Sequence, residues 1–408
     1  MDRKKIINFF GATQFLLIAA NGLWFYAIIY FRELGFDSRE IGLMSSVGTF
    51  LAMGMLPLLG VISDRFLSPR KVFILMGVLL AVVNALFPVC GLVLGAAFLP
   101  FMVLVTIRTV STQVANSMLE SWAGAEMDRL NASFGNVRRF GSLGYVVISL
   151  VASVVVGPLL PTSSSFVFMP ALCVCMLLIC AGPRSKLLSG EREKKQKKQV
   201  RTGELLGLVF RNYYFVTFLL MVLAFDSFLA IVNLDMSYLM DHAGTAQSNL
   251  GVVGAVRATT EIVVMIWLGR RKKLPPLWIM MGAAGLLIAA EHLLYPFARG
   301  LGGMMAVTLC SGLAGGMYYG FGTNYVFRIV DHRAAGTAMS VLGLVKAAIG
   351  VAGNALGGEI IARYGVITLT NSVGIFALVL SVLFLLSCVL GRCVWKKPYV
   401  SEREEAAV

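Results

Sequence analysis

Charge is scarce in this chain. Only 14% of its 408 residues are Asp, Glu, Lys or Arg, and the acids are the rarer kind, 21 against 35 bases. The chain is 58% hydrophobic, and soluble domains rarely go far above about 50% apolar. Paired cysteines are missing as well. The seven cysteines, Cys90, Cys173, Cys175, Cys180, Cys310, Cys388 and Cys393, mostly lie in apolar segments without metal-ligand spacing. They read as small buried hydrophobes, which argues against a zinc site or a disulfide framework. Alternation of period two is absent, which excludes a closed β-barrel. There is no nucleotide loop, no H-E-x-x-H and no convincing nucleophile–base set, which removes the enzyme classes that such motifs mark.

What the sequence has instead is long hydrophobic runs, each near the roughly 20 residues that a spanning helix needs. Twelve candidate spans follow, at about 6–31, 40–62, 71–94, 98–124, 136–158, 164–183, 209–238, 248–269, 275–297, 301–328, 334–362 and 366–392. The expected fold class is an all-α polytopic membrane protein. The N-terminal run is too long for a signal-peptide core and is expected to remain as span one. With the N-terminus inside, the inner segments hold 28 of the 35 Lys and Arg, while the outer loops hold only Arg32, Arg39, Arg299 and Arg363. That asymmetry predicts a multi-pass protein of the cell membrane with both termini cytoplasmic. The net charge of +14 is therefore a matter of topology, and nucleic acid is not an expected partner.

The longest polar segment, "GPRSKLLSGEREKKQKKQVRTGE", is too charged to form a core and reads as a solvated linker. It predicts an N-terminal six-helix bundle over 1–183, a cytoplasmic linker over 184–204 and a C-terminal six-helix bundle over 205–408. The two halves echo each other, with "GVISDRFLSPRKV" after span two and "LGRRKKLPPLW" after span eight. A weak internal repeat about a polar linker suits a transporter whose halves rock around a central cavity.

Seven ionisable residues fall well inside spans: Arg108, Glu120, Asp226, Arg257, Glu261, Glu291 and Lys346. Exposed to lipid they would together cost on the order of 15–20 kcal/mol, so they are expected to face one another or a wet cavity. In span four, Arg108, Thr112, Asn116 and Glu120 recur every four residues as one polar stripe. Span eight carries Arg257 and Glu261 one turn apart, where they can pair. Gln14 and Asn21 share a side of span one. His292 beside Glu291 reads as a polar wall residue, while His242 and His332 lie in loops without ligand spacing. Gly350, Gly353 and Gly357 near Lys346 predict close helix approach.

The pattern Gly60-x-x-x-Asp64-Arg65 followed by Arg70-Lys71 resembles the loop motif of the major facilitator superfamily, whose members fold as two six-helix bundles around a central cavity. The resemblance implies a gate in which an acid and bases at cytoplasmic helix ends latch one side shut; a capped, positively charged turn is the plainer reading. The N-terminal half is similar to the lactose permease branch of oligosaccharide–proton symporters. There a glutamate of span four lies eighteen residues before an arginine in an FGRAR-x-FG segment, as Glu120 lies before Arg138 in "FGNVRRFG". The resemblance implies that Glu120 and Arg138 bind sugar hydroxyls, that Tyr145 stacks on the sugar ring, and that Asp226 pairs with Lys346. The chain departs from the branch in span ten, whose apolar body has no charge, in Glu291, where the branch has an arginine, and in Glu261, about one turn beyond the branch's sugar-binding glutamate.

Together these readings predict a proton-coupled symporter of a small hydroxylated solute, with a sugar or oligosaccharide favoured. Its binding site would draw on Glu120, Arg138, Asn116, Tyr145 and Asn21. A carboxylate that alternates between a dry setting and one beside an arginine takes up and releases a proton, and Glu261 or Glu291, opposed by Arg257, is the expected carrier. No cofactor beyond the proton gradient is expected. The partners are the solute, protons and the lipid bilayer, and the chain reads as a monomer. A buried ion pair is the alternative for Glu120 and Arg138. Nucleosides, aromatic acids held by Arg108 or Arg257, and efflux of amphipathic compounds remain as alternative transport activities; a receptor is the alternative outside transport.

Overall fold

Apolar runs of this length become helices because, in a bilayer, backbone N–H and C=O groups must be satisfied within their own segment. The computed structural model describes residues 3–65, 68–130, 135–182, 202–271, 274–331 and 334–395. Its helices are α1 (Arg3–Gly22), α2 (Trp24–Leu34), α3 (Ser38–Arg65), α4 (Pro69–Leu94), α5 (Phe98–Arg129), α6 (Gly135–Val155), α7 (Ser165–Ala181), α8 (Thr202–Phe210), α9 (Tyr213–Ala243), α10 (Leu250–Gly269), α11 (Leu277–Leu294), α12 (Gly300–Ile329), α13 (Ala335–Tyr364) and α14 (Val366–Val389). Among the described residues, twelve stretches are long and apolar enough to cross a membrane. The broken pair α1–α2 makes the first, α3 to α7 and α9 to α14 make the others, and the short α8 precedes the seventh.

Helix ends follow local chemistry. Ser68 caps α4 by accepting from the Lys71 N–H, with Pro69 in the first turn, where a missing N–H costs nothing. Asn212 caps α9 through the Phe215 N–H. Gly244 ends α9 in the left-handed region, at φ 68°, which glycine adopts without strain. As a result α9 runs five residues beyond the sequence expectation of 238 and places Asp235 two turns inside a helix.

Packing is pseudo-symmetric. In the first half, α1 packs on α6 and α7, α3 and α4 pack on α5, and α4 packs on α7. In the second half, α9 packs on α13 and α14, α10 and α11 on α12, and α11 on α14. Span for span, these are the same pairings. One buried apolar cluster runs through both halves: Phe31, Phe36, Phe87, Phe101 and Phe166 interlock at one end of the first half, and Phe218, Tyr325 and Phe384 pack together in the second, while Phe10, Phe73 and Trp122 belong to a separate cluster in the first half. Leu75, Val82 and Leu86 on α4, and Val379, Leu383 and Leu386 on α14, stay exposed, as an apolar belt requires in lipid.

The bundles meet along two matching seams, α3 with α13 and α6 with α10, and where α2 touches α9. Contacts gather at one end. Arg32 donates to Ser237 at 2.5 Å and pairs with Asp241 at 2.5 Å. Arg39 pairs with Glu359 at 2.9 Å, the Ser38 hydroxyl donates to the Gly358 carbonyl at 3.0 Å, and the Tyr26 hydroxyl donates to the Ser248 carbonyl at 3.0 Å. Glycine permits this approach: a Cβ on Gly42 would collide with the Asn354 carbonyl, and one on Gly251 with the Ser149 carbonyl. This closed end carries the few basic residues assigned to outer loops, among them Arg32 and Arg39.

Candidate functional site

A cavity of about 920 Å³ lies between the bundles, below the closed end. On one side it is lined by α2, α3 and α5, through residues that include Trp24, Ser45, Thr49, Arg108, Thr109, Thr112 and Gln113. On the other side are α9 and α13, through residues that include Asp226, Ser340, Lys346 and Asn354. The lining runs from the level of Ser45 and Asn354 to that of Pro57 and Met339, away from the closed end. Apolar side chains such as Ile28, Val105 and Leu229 fill the rest of the wall, the usual make-up of a small-molecule site.

Arg108 is the most constrained charge in this cavity. Its residue is only 5% exposed. Nε donates to the Asn84 Oδ1 at 3.2 Å and Nη2 to the Asn21 Oδ1 at 3.3 Å. The guanidinium lies over the Trp24 ring, 3.6 Å from its centroid. The break between α1 and α2 sets up this arrangement by placing Asn21 and Trp24 on either side of Gly22 and Leu23. Gly22 itself packs tightly on α6, where a Cβ would strike Ile148 and Tyr145.

On the opposite wall Asp226 and Lys346 form an ion pair across the C-terminal bundle, at 3.6 Å. The Tyr318 hydroxyl donates to the same carboxylate oxygen at 2.7 Å, and the lysine nitrogen lies 4.9 Å from the Tyr318 ring centroid. Asp226 is buried, but the lysine side chain is 39% exposed because it faces the cavity. Lys346 therefore sits in an apolar helix with a carboxylate on one side and cavity space on the other.

The remaining sequence-predicted residues are placed elsewhere. Glu120 and Arg138 are both exposed, form no ion pair with each other, and do not line the cavity. Geometry explains the departure of Glu120: four residues turn a helix by about 400°, so three such steps rotate the stripe by about 120°. Arg108 and Thr112 thus face the cavity, Asn116 turns back to donate to the Thr112 carbonyl at 2.9 Å, and Glu120 leaves the wall. Arg138 instead lies within electrostatic range of Glu261 and Tyr319 of the other bundle. Tyr145 sits at the α6–α10 seam, edge-on to Phe25 at 6.4 Å and within range of Arg257. Asn21 serves Arg108, as described. In the loop motif, Arg70 donates to the Cys180 carbonyl at the end of α7 at 3.4 Å, Lys71 lies in the first turn of α4, and a Cβ on Gly60 would meet open space. The Asp64 and Arg65 side chains, His332 and most of the expected linker lie outside the described residues.

A second polar cluster lies inside the C-terminal bundle. Glu291 is fully buried; its Oε1 accepts from the Tyr295 hydroxyl at 2.6 Å and from Ser311 at 2.9 Å. Arg257 lies within electrostatic range of Glu291, Glu261 and Asp235. Glu261 approaches α12 where Gly315 leaves room, since a Cβ there would come 3.0 Å from its Oε2. Asp235 is only 2% exposed and is absent from the sequence-based set. Three buried polar atoms here have no hydrogen-bond partner among the described residues: Asp235 Oδ1, Glu291 Oε2 and His292 Nε2. Sequence reasoning also missed Trp24 and Asn84. The signal for Asn84 was a lone amide within the apolar run of span three; nothing in the sequence marked Trp24.

Comparison with known proteins agrees with this architecture. The model of the MFS_1 like family matches residues 11–371. The uncharacterized transporter YwbF of Bacillus subtilis (strain 168) is 24% identical over 318 residues, 76% of this chain and 74% of that protein. Among solved structures, a mutant of the nucleoside transporter NupG superposes with a TM-score of 0.77 at 16% identity, covering 94% of this chain and 99% of that one. A mutant of the peptide transporter POT superposes with a TM-score of 0.75 at 15% identity, covering 95% of both chains. A paired-bundle fold with charged residues around a cavity between the halves, taken with the family match over most of its length, establishes that the chain belongs to the MFS_1 like family and is a multi-pass membrane transporter, not an enzyme.

Proposed function

We propose that this transporter is a proton-coupled symporter of a small hydroxylated solute of the sugar class, working by alternating access in the cell membrane with both termini cytoplasmic. The observation that carries the proposal is the cavity of about 920 Å³ with charged residues on both walls, sealed at one end by the Arg32–Asp241 and Arg39–Glu359 pairs. The positive-inside bias makes the sealed end the outer one, so this conformation faces the cytoplasm. Ser45, Thr49, Thr109, Thr112, Gln113 and Asn354 offer hydroxyl and amide groups to a polyhydroxylated ligand, and the Trp24 ring offers an apolar face.

Proton coupling belongs to the carboxylates of the C-terminal bundle, of which Glu291 and Asp235 are buried and Glu261 half-buried. Glu261, Glu291 and Asp235 all lie within electrostatic range of Arg257. Two of the three have carboxylate oxygens that lack partners among the described residues, and a proton taken up there removes a buried negative charge. The test is uptake by proteoliposomes in weak buffer. Sugars or sugar derivatives that enter together with protons, seen as external alkalinisation, support the proposal; solute entry with no pH change under any imposed gradient contradicts the coupling.

A further inference from the structure

The ionisable residues lining the cavity are two cations, Arg108 and Lys346, and one carboxylate, Asp226. Asp226 is committed to Lys346. One positive charge, on Arg108, is left over. Among the described residues no carboxylate pairs with it, and its acceptors, Asn84 and Asn21, are neutral amides. A buried cation without a counter-ion is a costly arrangement in a protein interior. Two amide oxygens and an aromatic face orient the guanidinium without neutralising it, and they leave several of its five N–H donors unused. Arg108 itself is part of the cavity lining, as are Thr109 and Thr112.

We infer that Arg108 is an anion subsite and that the transported solute carries a carboxylate: it is a small hydroxylated monocarboxylate, such as a sugar acid. This inference rests on the hydroxylated-solute reading above and narrows it. The carboxylate accepts from the free edge of the Arg108 guanidinium, in the forked geometry that favours arginine over lysine for such anions. The hydroxylated body reaches the serine, threonine and amide groups of α3, α5 and α13. The bound anion removes the unpaired charge, so the loaded cavity is electrically balanced.

The test uses the purified full chain and three matched pairs of probes: glucuronate with glucose, gluconate with sorbitol, and 4-hydroxybenzoate with 4-hydroxybenzyl alcohol. Binding is followed by thermal shift and by competition. At least one carboxylate should bind, with its neutral partner weaker by about tenfold or more. R108Q should erase that preference, and R108K should keep part of it. Because either change can also disturb folding, N84D serves as the second variant. It places a carboxylate beside Arg108 Nε, which supplies the missing counter-ion inside the protein. It should hold or raise the unfolding temperature while weakening carboxylate binding by about tenfold or more. A purely structural Arg108 would leave binding unchanged in N84D. Neutral probes that bind as well as the acids, or acids that bind N84D and R108Q as they bind the unaltered chain, overturn the inference and leave the hydroxylated-solute reading standing. If no probe binds, both fall.

Discussion

At the residue scale the most informative pair is Asp226 with Lys346. Removing one partner of a buried pair leaves an uncompensated charge and costs about 3–5 kcal/mol in dry interiors. Here the lysine is open to the cavity, while the aspartate is only 7% exposed at its side chain. Lys346→Ala should therefore cost more than Asp226→Ala, because it strands the buried acid. Asp226→Ala in addition should recover a good part of the loss, though not all, since the Tyr318 hydroxyl then loses its acceptor. Thermal unfolding of the two single variants and the double variant measures the coupling; equal, additive losses would dissolve the pair. Glu291 allows a different experiment. Glu291→Gln keeps a carbonyl oxygen for Tyr295 and Ser311 and so should leave the unfolding temperature close to that of the unaltered chain. If Glu291 carries the coupled proton, the same variant should still bind solute yet lose substrate-linked alkalinisation. Unaltered alkalinisation would move that role to Glu261 or Asp235.

At the scale of the helix, the seams depend on glycine. Gly42 on α3 faces the Asn354 carbonyl and the Gly358 Cα, and Gly251 on α10 faces the Ser149 carbonyl. Backbone cannot move aside as a long side chain can. Gly42→Val or Gly251→Val should therefore push the bundles apart at the sealed end and favour the opposite conformation. Labelling of a cysteine introduced on the sealed side should then become faster, whereas Gly54→Val, where a Cβ meets open space, should leave the rate unchanged. No difference between the seam and control variants would remove the glycines from the conformational balance. The same helices show what sequence can and cannot convey. Spans are legible because apolar length is the signal and lipid demands it. The rotational phase of a polar residue is less so, because bundle interior and cavity both accept polar groups. Arg108 and Glu120 sit on one apparent stripe, yet only Arg108 faces the cavity, since a four-residue repeat drifts steadily around the helix. Asp235 escaped notice for another reason: the sequence reading ended span seven at 238, which placed this acid near an edge, whereas α9 runs on to Ala243.

At the scale of the whole molecule, the matched pairings of the two halves put equivalent helices at both seams, α3 against α13 and α6 against α10. A rigid half can rock on such a seam only if the contacts at the sealed end separate. Arg39 and Glu359 hold that end from opposite bundles at 2.9 Å, and both remain partly exposed. In a background free of the seven native cysteines, R39C combined with E359C should form a disulfide in this conformation. Oxidation should stop net uptake while leaving solute binding from the open side intact, and reduction should restore transport. Either single cysteine variant loses the same ion pair but cannot be locked, so its uptake should not depend on oxidation. If the oxidised double variant, shown by mass spectrometry to be fully linked, still transports at the reduced rate, the sealed end does not need to open and solute does not cross by the exchange of access between the two bundles.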